Sequence, residues 1–215
     1  MSQTQPDGYL ALPSSGTGKP VLVLHAWWGL NDTIRAFCDR LAEAGFVVFA
    51  PDLYAGAVTD QISEAEKLVG EMSSKEAQTN TEILNAIEYL RQQAGSAGGV
   101  AVIGFSMGAY YALSLSNSAP EHFQSVVLFY GTGPADFSQS QAAYLGHFAE
   151  NDEFEPLENV RELENDLKQA GRPVTFYTYP GTGHWFFEPD RTDVYNAEAS
   201  SLAWDRTLDF LKRSS

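Results

Sequence analysis

Val100-Ala101-Val102-Ile103-Gly104-Phe105-Ser106-Met107-Gly108-Ala109-Tyr110-Tyr111-Ala112-Leu113 is the stretch on which the reading of this chain turns. An apolar run leads into Gly104-Phe105-Ser106-Met107-Gly108, and a second apolar stretch leads out of it. The order is strand, tight turn, helix, with a serine at the turn. In that setting the pattern G-x-S-x-G forms a nucleophile elbow. The glycines on either side of the serine lack the Cβ atoms that would collide where helix and strand converge. The turn lifts Ser106 Oγ above the end of the strand, and the N–H of Met107, in the first helical turn, points at the same spot. A developing oxyanion there meets an amide donor and the positive end of the helix dipole. Average composition yields this pattern by chance only roughly 0.07 times in a chain of this size. A serine alone is a poor nucleophile, so the chain must also supply a base and an acid to orient it.

Outward from the elbow, strands and helices alternate. Tyr9 to Leu12 reads as a short edge strand ended by Pro13. Val21 to His25, Phe46 to Ala50 and Val126 to Phe129 are continuous apolar runs, the pattern of strands buried on both faces. Tyr144 to Ala149 and Val174 to Thr178 complete the set. Between them, Asn31 is placed to cap a helix carrying Ile34, Phe37, Cys38 and Leu41, with Gly45 at its end. Ser63-Glu64-Ala65-Glu66 has capping-box spacing and predicts a short helix through Met72. Further helices carry Ile83, Ile87 and Leu90, then Val160, Leu163 and Leu167 with Pro156 near the start, and finally Trp204, Leu208 and Leu211. The prediction is an α/β fold over residues 1–215, one domain, with a mostly parallel sheet of about seven strands and helices on both faces. Residues 1–7 are expected to be a flexible N-terminus. In such sheets the site forms from loops at the strands' C-terminal ends.

Ser106, Asp152 and His184 each lie just past a predicted strand, in the order nucleophile, acid, base. His184, in the turn-rich Pro180-Gly181-Thr182-Gly183 loop, can take the Ser106 proton and return it to the leaving group. Asp152 would hold the imidazole tautomer and stabilise the imidazolium. Read singly, His184 is a surface-loop histidine and Asp152 a helix cap; their joint placement after the right strands favours the triad. His25 ends a strand and is read as a brace for the loop backbone, His147 lies inside a strand, and His122 sits near a helix end. No histidine pair has H-x-H or H-E-x-x-H spacing, so no metal site is expected, and no glycine-rich phosphate loop is present.

The 215 residues carry a formal net charge of −15, which disfavours nucleic acid and anionic membrane as partners. Much of the acid lies on helix faces such as Glu155 to Asp166. Cys38, on an apolar helix face, has no second cysteine to pair with. There is no basic-then-apolar N-terminal run and no apolar stretch of membrane-spanning length, so the expected location is the cytoplasm.

Several segments together are similar to the dienelactone hydrolase family: Val21 to Asn31, Ala50 to Tyr54, Gly104 to Gly108, Gly146 to Pro156, Tyr179 to His184 and Thr207 to Leu211. The resemblance runs almost end to end. It implies an α/β-hydrolase fold and cofactor-free hydrolysis of an ester or lactone. It also places a second oxyanion donor after His25, at the N–H of Trp27. Three positions depart from the pattern the family usually shows. Ser106 stands where it has cysteine, and Ala26 where it often has a glutamate that helps activate the thiol. Glu188 stands where dienelactone-cleaving members carry an arginine that grips the substrate carboxylate. Serine without the glutamate is chemically coherent, because a histidine base suffices for a hydroxyl.

The expected reaction is cleavage of a small, uncharged ester or lactone through an acyl-enzyme on Ser106, with the N–H groups of Met107 and Trp27 as oxyanion donors. Trp27, Trp28, Tyr54, Trp185 and Phe186 are candidates for an apolar substrate wall. The partner is then a small molecule, and the protein a monomer or weak homodimer. Two other readings stay open: a dienelactone hydrolase that uses serine, and a non-catalytic relative that binds a ligand.

Overall fold

A computed structural model describes residues 5–133 and 136–213. The start of the expected flexible terminus, residues 1–4, lies outside the described residues. At the middle of the sheet are β2 (Pro20–Leu24) and β4 (Val100–Phe105). Beside β4 follow β5 (Phe123–Phe129), β6 (Ala143–Ala149) and β7 (Val174–Tyr179). On the other side, β3 (Val47–Pro51) pairs with β2, and β1 (Gly8–Ala11) closes the edge. The order is β1-β3-β2-β4-β5-β6-β7, parallel throughout except for antiparallel β1. All five residues of β2 and of β3 are buried, which is why both read as unbroken apolar runs.

Successive residues of a strand face opposite layers. Leu22 and Leu24 of β2 join one apolar layer, and Val21 and Val23 join the other. The first layer is closed by α3 (Glu76–Ala94), α4 (Met107–Ser118) and α5 (Leu157–Gln169). The second is closed by α1 (Asp32–Glu43) and α6 (Ala197–Arg213). Ile83, Ile87 and Leu90 of α3 have no exposed surface. Burying each is worth about 1.5–3 kcal/mol, so the α3 stripe alone does much to fix that helix on the sheet.

Helix ends follow local chemistry. The Asn31 side chain accepts from the Ile34 N–H at 3.0 Å, and Gly45 leaves α1 at φ +100°, as the spacing predicted. The expected capping box at Ser63 does not form. α2 (Ile62–Ser73) begins earlier, with Gln61 at the cap position making no side-chain bond. Ser63 therefore lies already inside the helix.

The chain visits β3 on one side of β2 and then crosses to β4 on the other. The loops after β2 and β4 thus flank the point where the sheet order reverses, the place where such sheets bind ligands. Register does the rest: Phe105 pairs with Phe129, Phe129 with His147, and Ala149 with Tyr179. The loops that follow all emerge on one edge. Among the described residues no helix is long and apolar enough to cross a membrane.

Candidate active site

Ser106 sits between β4 and α4 at φ 48°, ψ −110°, a conformation that L residues rarely adopt. Its own N–H is tied to the Phe129 carbonyl at 2.8 Å, which locks the turn against β5. A Cβ on Gly104 would stand 2.4 Å from the Gly108 carbonyl oxygen. A Cβ on Gly108 would meet the Leu24 and His25 carbonyl oxygens at 2.4 and 2.8 Å. Only glycine lets α4 start this close to β2.

Ser106 Oγ lies 3.0 Å from His184 Nε2. His184 Nδ1 lies 2.7 Å from Asp152 Oδ2. Both side chains of that pair are almost completely buried. Asp152 Oδ1 in turn accepts the N–H groups of Phe154 and Glu155 at 2.9 and 2.8 Å, which fixes the carboxylate plane. The acid loop and the histidine loop are also stitched together. The Asn151 N–H donates to the Thr182 carbonyl at 2.9 Å, and the Gly181 N–H donates to Glu150 Oε2 at 2.8 Å. The arrangement suits proton transfer from Ser106 to His184 with Asp152 holding the imidazole. Met107 opens α4 and its N–H belongs to the helix's unsatisfied first turn, beside Ser106. Trp27 follows β2 across the switch point and lines the same cleft as Ser106 and Met107.

Backbone strain gathers here. Among the described residues four non-glycines have positive φ, and three of them, Ser106, Tyr130 and Trp185, gather around His184. Tyr130 follows β5 and packs its ring 4.9 Å from that of His184. Trp185 meets the imidazole edge-on at 4.7 Å. Phe154, exposed, lies 5.2 Å from His184 and 5.6 Å from Trp27.

The cleft at Ser106 has a volume of about 330 Å³. Besides Trp27 and the elbow, its walls are Val69 and Ser73 of α2, Glu76 of α3, and Tyr110 and Tyr111 of α4. Of the five aromatics expected on the substrate wall, Trp27 alone lines this cleft. Phe186 has no exposed surface and packs on Tyr130 and Tyr179. Trp28 is buried between Trp185 and the Arg191 guanidinium. Trp185 is buried edge-on against the His184 ring rather than on the cleft wall. Tyr54 faces a separate hollow of about 380 Å³ beneath α2 and α3, with its hydroxyl 3.2 Å from Met107 Sδ. Aromatic content near a motif does not reveal which face each ring takes. Phe154, two residues beyond Asp152, carried a readable signal; the α2 and α3 walls carried none.

The remaining histidines are structural. His25 Nδ1 donates to the Ala26 carbonyl at 2.7 Å and Nε2 accepts from the Leu53 N–H at 3.2 Å, the backbone brace expected of it. His147 bridges the Tyr179 hydroxyl and Thr207 Oγ1 at 2.8 and 3.0 Å, and burial pushes its pKa down to about 3. His122 stands beside Arg91, past the end of α4 opposite the elbow.

The sequence model of the dienelactone hydrolase family matches residues 7–215. The chain belongs to the dienelactone hydrolase family. It is 32% identical to protein usf of Aquifex pyrophilus, over 95% of this chain and 92% of that one. It is equally 32% identical, with the same coverage, to a protein of Aquifex aeolicus named provisionally as a carboxymethylenebutenolidase. A dienelactone hydrolase-like promiscuous phosphotriesterase from metagenomic libraries shares the fold, with a TM-score of 0.83 over 94% of this chain and 88% of that one at 20% identity. As a dienelactone hydrolase family member, the protein is an enzyme of the carboxylic-ester hydrolase type with the α/β-hydrolase fold.

One departure from the dienelactone hydrolase pattern needs correcting. Glu188, in the position of the dienelactone-cleaving members' arginine, is not a charge on the Ser106 cleft. It is 1% exposed and lines a separate hollow of about 300 Å³ against α1 instead of the Ser106 cleft. Its N–H closes a turn to the Trp185 carbonyl at 2.9 Å, and this turn carries the side chain inward. The Tyr130 hydroxyl donates to Glu188 Oε1 at 2.6 Å. Burial raises the Glu188 carboxyl to about 8, against the lowering effect of that hydrogen bond. Near neutral pH it is therefore mostly an uncharged acid under the histidine loop. Ala26 is buried too, its carbonyl accepting from both His25 Nδ1 and the Gly29 N–H. The loop is thus closed without a glutamate at that position.

Proposed function

We propose that the protein is a serine hydrolase that cleaves small carboxylic esters or lactones through an acyl-enzyme. Ser106 attacks the carbonyl, His184 takes its proton and later gives it to the leaving oxygen, and Asp152 steadies the imidazolium. The N–H groups of Met107 and Trp27 stabilise the tetrahedral oxyanion, and water then releases the acid. The observation that carries this reading is the unbroken relay of 3.0 Å from Ser106 Oγ to His184 Nε2 and 2.7 Å from His184 Nδ1 to Asp152 Oδ2. On this reading the whole chain is one catalytic domain, acting on a small molecule in the cytoplasm as a monomer or weak homodimer. The net charge of −15 argues against nucleic acid as a partner.

The test is turnover of a neutral p-nitrophenyl ester. Ser106→Ala should abolish it while leaving the melting temperature near that of the wild type. His184→Ala and Asp152→Asn should each lose roughly 10³-fold or more in kcat. Near-full activity in Asp152→Asn would move the acid role to Glu150 or Glu153.

A further inference from the structure

The cleft at Ser106 carries information about substrate charge that the triad does not. Its walls include three aromatic residues, Trp27, Tyr110 and Tyr111, and one ionisable carboxylate, Glu76. Among the described residues no lysine or arginine lines it. Glu76 is exposed at the start of α3, 3.4 Å from the Tyr110 hydroxyl. Its neighbour Lys75 lines the separate hollow beneath α2 and α3 instead. The cations that a carboxylate-bearing substrate would need are committed elsewhere. Lys67 pairs with Glu64, Arg91 with Glu88, and Arg191 with Asp190 and the face of Trp28. Aromatic faces with a carboxylate beside them attract a cation through ring quadrupoles and through charge, and repel an anion.

Which half of the substrate enters this cleft follows from the proton path. His184 protonates the leaving oxygen, so the leaving group must lie on the histidine side. The cleft touches Ser106 and Met107 but not His184, which is where the acyl half would extend.

We propose that this cleft selects esters whose acyl chain ends in an ammonium group, with Glu76 and the rings of Trp27 and Tyr110 as the specificity-determining residues. The inference rests on the serine hydrolase reading and adds the substrate class. It reverses the charge preference associated with an arginine-bearing site, in a chain whose own charge of −15 also draws cations.

The experiment compares two p-nitrophenyl esters of one shape: 4-(trimethylammonio)butanoate and 5,5-dimethylhexanoate, which places carbon where the first has nitrogen. Each kcat/KM is normalised to the ester's rate of hydroxide hydrolysis. The ammonium ester should be favoured about tenfold, the combined size expected of one cation–π contact and one exposed ion pair. Glu76→Gln should cut kcat/KM for the ammonium ester about threefold or more beyond any change for the neutral ester. Raising salt should shrink the preference in the wild type more than in Glu76→Gln. Equal or faster cleavage of the neutral ester overturns the cation preference and leaves the hydrolase reading standing. Cleavage of neither ester, with no fluorophosphonate label on Ser106, overturns the hydrolase reading and this inference with it. A preference that survives unchanged in Glu76→Gln removes Glu76 from the assignment and overturns the proposal as stated.

Discussion

Ser106, Tyr130 and Trp185 hold backbone angles that cost about 1–3 kcal/mol each, and all three converge on one imidazole. Strain of that kind persists only where surrounding contacts over-determine it. Here one of those contacts is the Tyr130 hydroxyl on Glu188. Glu188 makes the consequence measurable. Its carboxyl keeps a proton in the native protein up to about pH 8, against an ordinary value of 4.5. Between those values the native state holds more protons than the unfolded chain, so this residue's contribution to stability is full below 4.5 and is lost as pH rises through about 8. Glu188→Gln keeps an acceptor for Tyr130 and removes the titration. The melting temperature of the wild type should therefore fall relative to Glu188→Gln between about pH 5 and about pH 9, by about 3 °C or more, given that about 1 kcal/mol moves a domain of this size by about 2–4 °C. A constant difference across that range would show that Glu188 is not a buried neutral acid.

At the scale of elements, the elbow depends on a close approach that only glycine permits. Gly108→Ala drives a methyl into two carbonyl oxygens of the β2 end, backbone atoms that cannot swing away. Chemical denaturation should show a loss of about 2–4 kcal/mol, with activity falling further because Ser106 is displaced. Gly70 in α2 is the control, since a Cβ there meets nothing within 4 Å. Gly70→Ala should stabilise by about 0.5–1 kcal/mol through helix propensity alone. Equal effects from the two substitutions would mean that the elbow glycine is not a packing requirement. The strands and the elbow were readable in the chain because each is a local pattern: β2 and β3 are unbroken apolar runs, and G-x-S-x-G carries its own steric reason. The Asn31 cap was readable for the same cause. The start of α2 was not, because Ser63 offers capping spacing while the chain enters the helix at Ile62.

Seen whole, the molecule places its chemistry by topology. Sheet order brings the loops after β2, β4, β6 and β7 to one edge, so Ser106, Asp152 and His184 could be paired by counting strands. The cleft walls could not be read that way. Glu76, Tyr110 and Val69 share a cleft with Ser106 through the packing of α2, α3 and α4, and no motif announces a helix–helix contact. Glu188 misled for a related reason: its distance from His184 in sequence says nothing about a turn that buries it. The charge argument nevertheless keeps its direction, with Glu76 in place of Glu188. A carboxylate-bearing dienelactone should be cleaved with lower kcat/KM than a neutral ester of similar size, by about fivefold or more for an uncompensated charge of about 1 kcal/mol. Faster cleavage of the dienelactone would reveal a cation in the cleft. The central claim, that Ser106 is the nucleophile of a working triad, is tested most directly by a fluorophosphonate label followed by peptide mass mapping. The account predicts one adduct per chain, on Ser106, formed slowly or not at all in His184→Ala and absent in Ser106→Ala. An adduct on another residue, or none on the native protein, would contradict it.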